Sequence, residues 1–167
     1  SPTLEIVLNF LHSEKLKAVF IDLDDTLLDE TAHMRGAYSK SLHDQRHLLP
    51  HSRAQVVSRE YESIVDELAY RNAWDEMTRE QRWELALQTG GVENSELAVK
   101  ISEGYLRHYY EGVSFLPGAE QLLESASHFR NCLITNGDSQ HQWGKIELLD
   151  IGSKVDHILV SGDLGIR

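Results

Sequence analysis

Apolar positions change their spacing twice along the chain, and the changes divide it into three stretches. Near the start, Leu4, Val7, Leu8 and Leu11 recur at helical spacing, and Thr3 after Pro2 can open a short amphipathic helix over residues 3–13. Ala18 to Ile21 is a continuous apolar run rather than an alternating one. Such a run predicts a strand buried on both faces of a parallel sheet. It ends in acid, at Asp22, Asp24, Asp25, Asp29 and Glu30.

From about residue 32 to 111 strand signals are few and helical stripes recur. Met34, Tyr38 and Leu42 form one, and Val57, Tyr61, Ile64 and Leu68 a second. Trp83 with Leu87, and Leu97 with Ile101 and Tyr105, supply two more. Pro50 and the pair Gly90-Gly91 punctuate the stretch as loops. The pattern predicts about four helices burying their stripes against one another.

After Phe115-Leu116-Pro117-Gly118 the α/β texture returns. Residues 119–129 read as a helix and 131–136 as a strand, closed by the Asn136-Gly137 turn. Asp138 or Ser139 can cap a helix running to about 149, with Trp143, Ile146 and Leu149 on its stripe. Residues 155–160 read as a third strand. The order is strand, insertion, helix, strand, helix, strand, which predicts an α/β fold with a doubly wound, Rossmann-like parallel sheet and an inserted all-helical domain. The expected divisions are residues 1–15 as a helix packing on the core, 16–31 with 112–167 as the core, and 32–111 as the insertion. Three parallel strands make a small core with open edges. The sequence therefore reads as an incomplete domain that lacks the last strands of its sheet.

Composition narrows the function classes. The chain has 167 residues, with 16 basic and 27 acidic side chains and a net charge of −11. That charge repels polyphosphate backbones, so nucleic-acid binding is not expected. Small phosphorylated ligands stay open, because a bound cation reverses the field locally. No apolar run approaches the roughly 20 residues that span a bilayer, and the start lacks a basic leader. Cys132 is the single cysteine, so an internal disulfide and a cysteine-based zinc site are excluded, which suits a reducing cytoplasm. No feature of the sequence sets an oligomeric state.

Candidate chemistry concentrates at Asp22-Leu23-Asp24-Asp25-Thr26, at the carboxyl end of the first strand, where ligands bind in open α/β sheets. Alternate residues of an extended segment share a face, so Asp22 and Asp24 can converge. Two ionised carboxylates that close need a cation, and hard oxygen ligands suit Mg²⁺. The bland alternative is a solvated acidic loop. Weaker constellations read as ordinary surface: His43, His47 and His51 at i, i+4, i+8, with Pro50 ending the helix before the last, and His141 near a helix start. Arg35, Lys40, Arg53 and Arg71 could meet an anion or simply face water.

The wider string is more specific. An apolar strand entering FIDLDDTLLD resembles the first motif of the haloacid dehalogenase superfamily, a hydrophobic strand ending in D-x-D-x-T. Leu133-Ile134-Thr135-Asn136-Gly137 resembles its second motif, an apolar strand ending in Thr or Ser. Residues 32–111 occupy the place of that family's helical cap, and Leu116-Pro117-Gly118-Ala119 resembles the re-entry into the core. The segment VSGDLGIR resembles the run-up to a third motif, whose lysine would follow Arg167; neither that lysine nor the fourth, acidic motif is in the sequence, and Asp156 and Asp163 stand in the wrong context to replace it.

The resemblance implies a Mg²⁺-dependent phosphatase acting on a small phosphomonoester, of nucleotide or sugar phosphate type, through an aspartyl-phosphate. Asp22 would be the nucleophile and Asp24 the general acid and base. Thr135, Asn136 and Gly137 would bind phosphate, and Asp22 with the main-chain carbonyl of Asp24 would hold the metal. Thr26 would brace the loop. Asp24 favours phosphatase over dehalogenase, because an alkoxide needs a proton to leave and a halide does not. The alternative implied is a non-catalytic relative that keeps the cradle for binding. The chain by itself is expected to have little activity without the third-motif lysine.

Overall fold

The structure, a computed structural model, describes residues 17–71 and 73–165. The helix expected over residues 3–13, and with it the division 1–15, lies outside the described residues. In chain order the elements are β1 (Ala18–Ile21), α1 (Glu30–Asp44), α2 (His51–Tyr70), α3 (Arg79–Thr89), α4 (Ser95–Gly112), α5 (Ala119–Ala126), β2 (Arg130–Thr135), α6 (Ser139–Leu148) and β3 (His157–Val160). Single 3₁₀ turns occupy Arg46–Leu48, Trp74–Glu76, Ile151–Ser153 and Ser161–Leu164. The chain divides into two compact units, one made of Ser1–Ala32 with Val113–Arg167 and the other of His33–Gly112.

The first unit is α/β. Its three strands are all parallel, in the order β1-β2-β3, with Phe20 beside Cys132 and Leu133 beside Ile158. One face of this sheet is closed: Ile21, Leu133, Thr135 and Val160 are buried. The opposite face is not, for Phe20 is 69% exposed, Leu159 46% and Ile134 40%. Burial on both faces of β1, expected from its apolar run, is not met: only Ile21 of the four residues is buried. Right-handed crossovers that step in one direction put their helices on one side of the sheet, and β1, β2 and β3 are added in one direction.

Local polar clamps set the strand ends. Asn131 and Asp156 bond reciprocally, each accepting the other's backbone N–H on its side chain, at 2.7 and 3.0 Å. Asp156 is therefore a structural residue. The excursion between β1 and α5 leaves and returns side by side. Leu28 bridges Phe115, and the Leu116 N–H donates to the Leu27 carbonyl at 2.8 Å. A long insertion with adjacent ends leaves the sheet register undisturbed.

The second unit is helical. Tyr61 stacks on buried Trp83 at 3.6 Å between ring centroids, and Tyr38 meets Tyr61 edge-on at 5.3 Å. Most expected stripe residues are buried, including Tyr38, Leu42, Val57, Tyr61, Leu68, Trp83, Leu87, Leu97, Ile101 and Tyr105. Thr78 and Gln81 close a capping box at the start of α3. The three spaced histidines do not share a helix: α1 ends at Asp44, His47 sits in the following 3₁₀ turn, and Pro50 precedes α2. His43 accepts a bond from Arg46 at 2.9 Å instead. Among the described residues no helix is long and apolar enough to cross a membrane.

Candidate active site

The acidic loop after β1 is organised around the Leu23 carbonyl, which accepts from the Leu27 N–H at 2.8 Å and the Leu28 N–H at 3.1 Å. Leu23, Leu27 and Leu28 are all fully buried, so the turn is pinned from inside while its acidic residues face outward or sideways. The five acids then separate into different jobs. Asp25 takes a left-handed conformation (φ 53°) and accepts from both the N–H and the hydroxyl of Thr31, at 3.0 and 2.9 Å. Asp29 accepts from the Ala32 N–H at 3.0 Å, which caps the start of α1. Both are structural residues.

Asp22 and Asp24 differ sharply from one another. Asp22 is exposed, and among the described residues its carboxylate meets only the Thr26 hydroxyl, at 3.4 Å. Thr26 thus reaches from the loop toward Asp22. Both oxygens of Asp24 are held: Lys145 Nζ donates to Oδ1 at 2.6 Å and Gln142 Nε2 donates to Oδ2 at 2.8 Å. Burial pushes the Asp24 carboxyl above its ordinary range; the Lys145 ammonium opposes that rise and Glu30 adds to it. Lys145 is fully buried and also lies 3.5 Å from Glu30 Oε2, so one cation answers two carboxylates. His141 approaches the same group, 3.8 Å from Glu30 Oε1.

The second cluster lies at the end of β2. Thr135 is buried, and its hydroxyl oxygen accepts from Gln142 Nε2 at 2.7 Å. The same amide nitrogen lies 2.6 Å from the Asn136 carbonyl, so its two hydrogens are shared among three acceptors. Gln142 therefore ties Asp24, Thr135 and Asn136 together. Two of these neighbours only accept, which fixes the amide with its nitrogen toward them. Its oxygen is left buried with no hydrogen-bond partner among the described residues. The Gly137 N–H is taken by Ser161 Oγ at 3.1 Å.

Two glycines let this turn close. Gly137 has φ 140°, and a side chain there would sit 3.1 Å from the Gln142 amide. At Gly162 a Cβ would stand 2.5 Å from the Gly137 carbonyl and 2.7 Å from the Ser139 nitrogen, both backbone atoms. Gly162→Ala is expected to destabilise the protein by about 1–3 kcal/mol through overpacking. Gly112→Ala, where a Cβ meets nothing within 4 Å, should change little; chemical denaturation of both variants checks the contrast. Asp163 beyond Gly162 is fixed by the Ser139 hydroxyl and by Trp143 Nε1 at 2.9 Å, and these bonds hold its carboxyl below the usual range.

Sequence reasoning leaves Gln142, Lys145 and Glu30 out of the site. The available signal is positional: Gln142, Lys145 and Ile146 are the buried residues of α6, at i, i+3, i+4. The stripe expected on Trp143, Ile146 and Leu149 is displaced, since Trp143 and Leu149 are only half-buried. Of the two cap candidates, Asp138 and Ser139, it is Asp138 that caps the helix, accepting from the His141 N–H at 3.0 Å.

A parallel sheet with a D-x-D loop after one strand and a threonine-glycine turn after its neighbour defines a class of hydrolase cores. The chain belongs to the haloacid dehalogenase-like hydrolases, whose family profile matches residues 16–167. It is 28% identical over 162 residues to the glyceraldehyde 3-phosphate phosphatase of Pyrococcus abyssi, covering 91% of this chain and 62% of that protein. It is 30% identical over 160 residues to the N-acylneuraminate-9-phosphatase of Homo sapiens, covering 89% and 62%. A HAD-hydrolase of Bacillus subtilis, solved bound to magnesium, superposes with TM-score 0.69 at 25% identity, over 92% of this chain and 67% of that one. The chain thus spans about three fifths of the length of these curated relatives.

Proposed function

We propose that the protein hydrolyses a small phosphomonoester, with Asp22 as nucleophile and Asp24 as proton donor and acceptor. The observation that carries this reading is the asymmetry of the pair. Asp22 has an exposed, nearly uncommitted carboxylate, whereas Asp24 is gripped on both oxygens. A nucleophile needs a free lone pair, and a proton-transfer group needs a fixed position. The names of the relatives, phosphatases of small phosphorylated metabolites, support the same substrate class.

In this reading an Asp22 oxygen attacks phosphorus, the bond to the leaving alkoxide breaks, and Asp24 gives that oxygen a proton. The phosphate is then carried as an acyl phosphate on Asp22. Asp24, now ionised, takes a proton from the water that attacks phosphorus and regenerates the carboxylate. The Thr135 hydroxyl, whose oxygen lies 2.7 Å from Gln142 Nε2, would donate its proton to a phosphate oxygen. Asn136 lies in the same turn and would add to the proposed phosphate cradle; the Gly137 N–H, expected from the sequence to join it, is instead given to Ser161 Oγ at 3.1 Å. The helical unit, His33–Gly112, is the domain we assign as the cap.

The donor set fits Mg²⁺. Asp22 offers hard oxygens whose one contact among the described residues is the Thr26 hydroxyl, at 3.4 Å. That suits a metal held by one or two carboxylates and several waters. Asp22 and the main-chain carbonyl of Asp24 would hold it, and the ion would supply positive charge to the transferring phosphoryl group.

Release of inorganic phosphate from a panel of sugar, nucleotide and short-chain phosphomonoesters by the full-length protein tests the reading. Turnover that requires Mg²⁺ and stops on chelation is the expected result. Hydrolysis unaffected by chelation would remove the metal from the proposal, and no phosphate release from any member with the metal present would overturn it.

A further inference from the structure

Lysines on helices usually send the ammonium to water, yet Lys145 on α6 is fully buried. Burying an ammonium costs several kcal/mol unless a partner answers it closely. Here the answer is Asp24, at 2.6 Å, with Glu30 more distant at 3.5 Å. One turn earlier on the same helix, Gln142 holds the other Asp24 oxygen and also reaches Thr135. Both donors come from a single helix whose start is fixed by Asp138 and whose flank is tied to the Ser161–Leu164 turn through Trp143 and Asp163. The Asp24 side chain retains 28% exposure, so the gripped carboxyl still opens outward.

We propose that Lys145 and Gln142 are positioning residues that brace the Asp24 carboxyl for proton transfer to the leaving oxygen, with Gln142 coupling that carboxyl to the phosphate-binding hydroxyl of Thr135. The proposal rests on the phosphatase reading above and deepens it. In this reading both residues act through Asp24 and Thr135, which they contact directly, rather than on phosphorus or the departing group. Their loss should therefore alter how strongly the rate depends on the leaving group, not how tightly substrate binds. An alkoxide must be protonated as it departs, while 4-nitrophenolate leaves with little help.

The experiment uses the full-length protein and two substrates: 4-nitrophenyl phosphate and an alkyl phosphomonoester turned over in the panel. In Lys145→Met and in Gln142→Leu, kcat for the alkyl substrate is expected to fall roughly 100-fold, the scale of general acid catalysis. For 4-nitrophenyl phosphate the fall should be about tenfold smaller, with KM for both within about twofold. In an Asp24→Asn background, Lys145→Met should remove little further activity, because residues acting through one group are not additive. Should either single variant fold poorly, Lys145→Arg, which keeps the cation, is expected to regain part of the alkyl rate selectively. Equal losses on both substrates, a change confined to KM, or a full further loss in the Asp24→Asn background would overturn the proposal. If Asp22→Asn is inactive while Lys145→Met keeps the native leaving-group dependence, the brace fails and the phosphatase reading stands. If Asp22→Asn retains turnover, that reading fails and takes the brace with it.

Discussion

Asp22→Asn in the full-length protein should lose at least about 10⁴-fold in kcat, the scale seen when a catalytic nucleophile is removed. Folding should be unchanged. The carboxylate is exposed and, among the described residues, its one contact is the 3.4 Å bond from Thr26, so its replacement breaks nothing that holds the loop. The loop is fixed elsewhere, by the Leu23 carbonyl turn and by the Asp25–Thr31 bonds. Steady-state kinetics beside thermal unfolding checks both halves. A variant that loses activity and stability together would mean Asp22 carries structure, and the separation of roles between the two aspartates would be wrong.

The complementary expectation concerns stability. Asp24→Ala should destabilise the protein by about 2–3 kcal/mol, while Asp22→Ala should stay within about 0.5 kcal/mol of the parent. Removing Asp24 leaves the buried Lys145 ammonium with Glu30 alone, at 3.5 Å. Breaking a buried pair costs more than the pair contributes, because the remaining charge is left without its partner. The cost falls below that of a fully buried pair because Asp24 is partly exposed and Glu30 remains beside the ammonium. Urea denaturation of the two alanine variants measures the difference. Equal effects would show that the Lys145–Asp24 contact contributes little to the fold.

Periodicity in the sequence sets the helices and strands of both units. Helical stripes such as Val57–Tyr61–Leu68 and Leu97–Ile101–Tyr105 are buried, because in a packed helical domain apolar spacing decides which face turns inward. The runs at 18–21 and 131–136 read as strands because continuous apolar stretches of that length suit a parallel sheet, and the second is displaced by one residue. Asp22, Asp24 and Thr135 stand out since strand ends are where such sheets present chemistry.

What escaped was polar and tertiary. Lys145 and Gln142 look like ordinary solvated helix residues until Asp24, 121 and 118 positions earlier, is brought against them. The acidic run after β1 looks uniform in sequence, although Asp25 and Asp29 serve turn and cap while Asp22 stays open. The exposed sheet face at Phe20, Ile134 and Leu159 was equally hidden, because an apolar strand pattern does not tell which side its helices occupy.

If Asp22 carries the phosphoryl group during turnover, covalent trapping will capture it there. Rapid quenching of the full-length protein with substrate, followed by borohydride reduction, converts an aspartyl-phosphate to homoserine. Peptide mass spectrometry should then find homoserine in place of Asp22, only when substrate and Mg²⁺ are present. Brisk phosphate release with Asp22 unreduced, or with homoserine at another aspartate, would show that Asp22 is not the nucleophile.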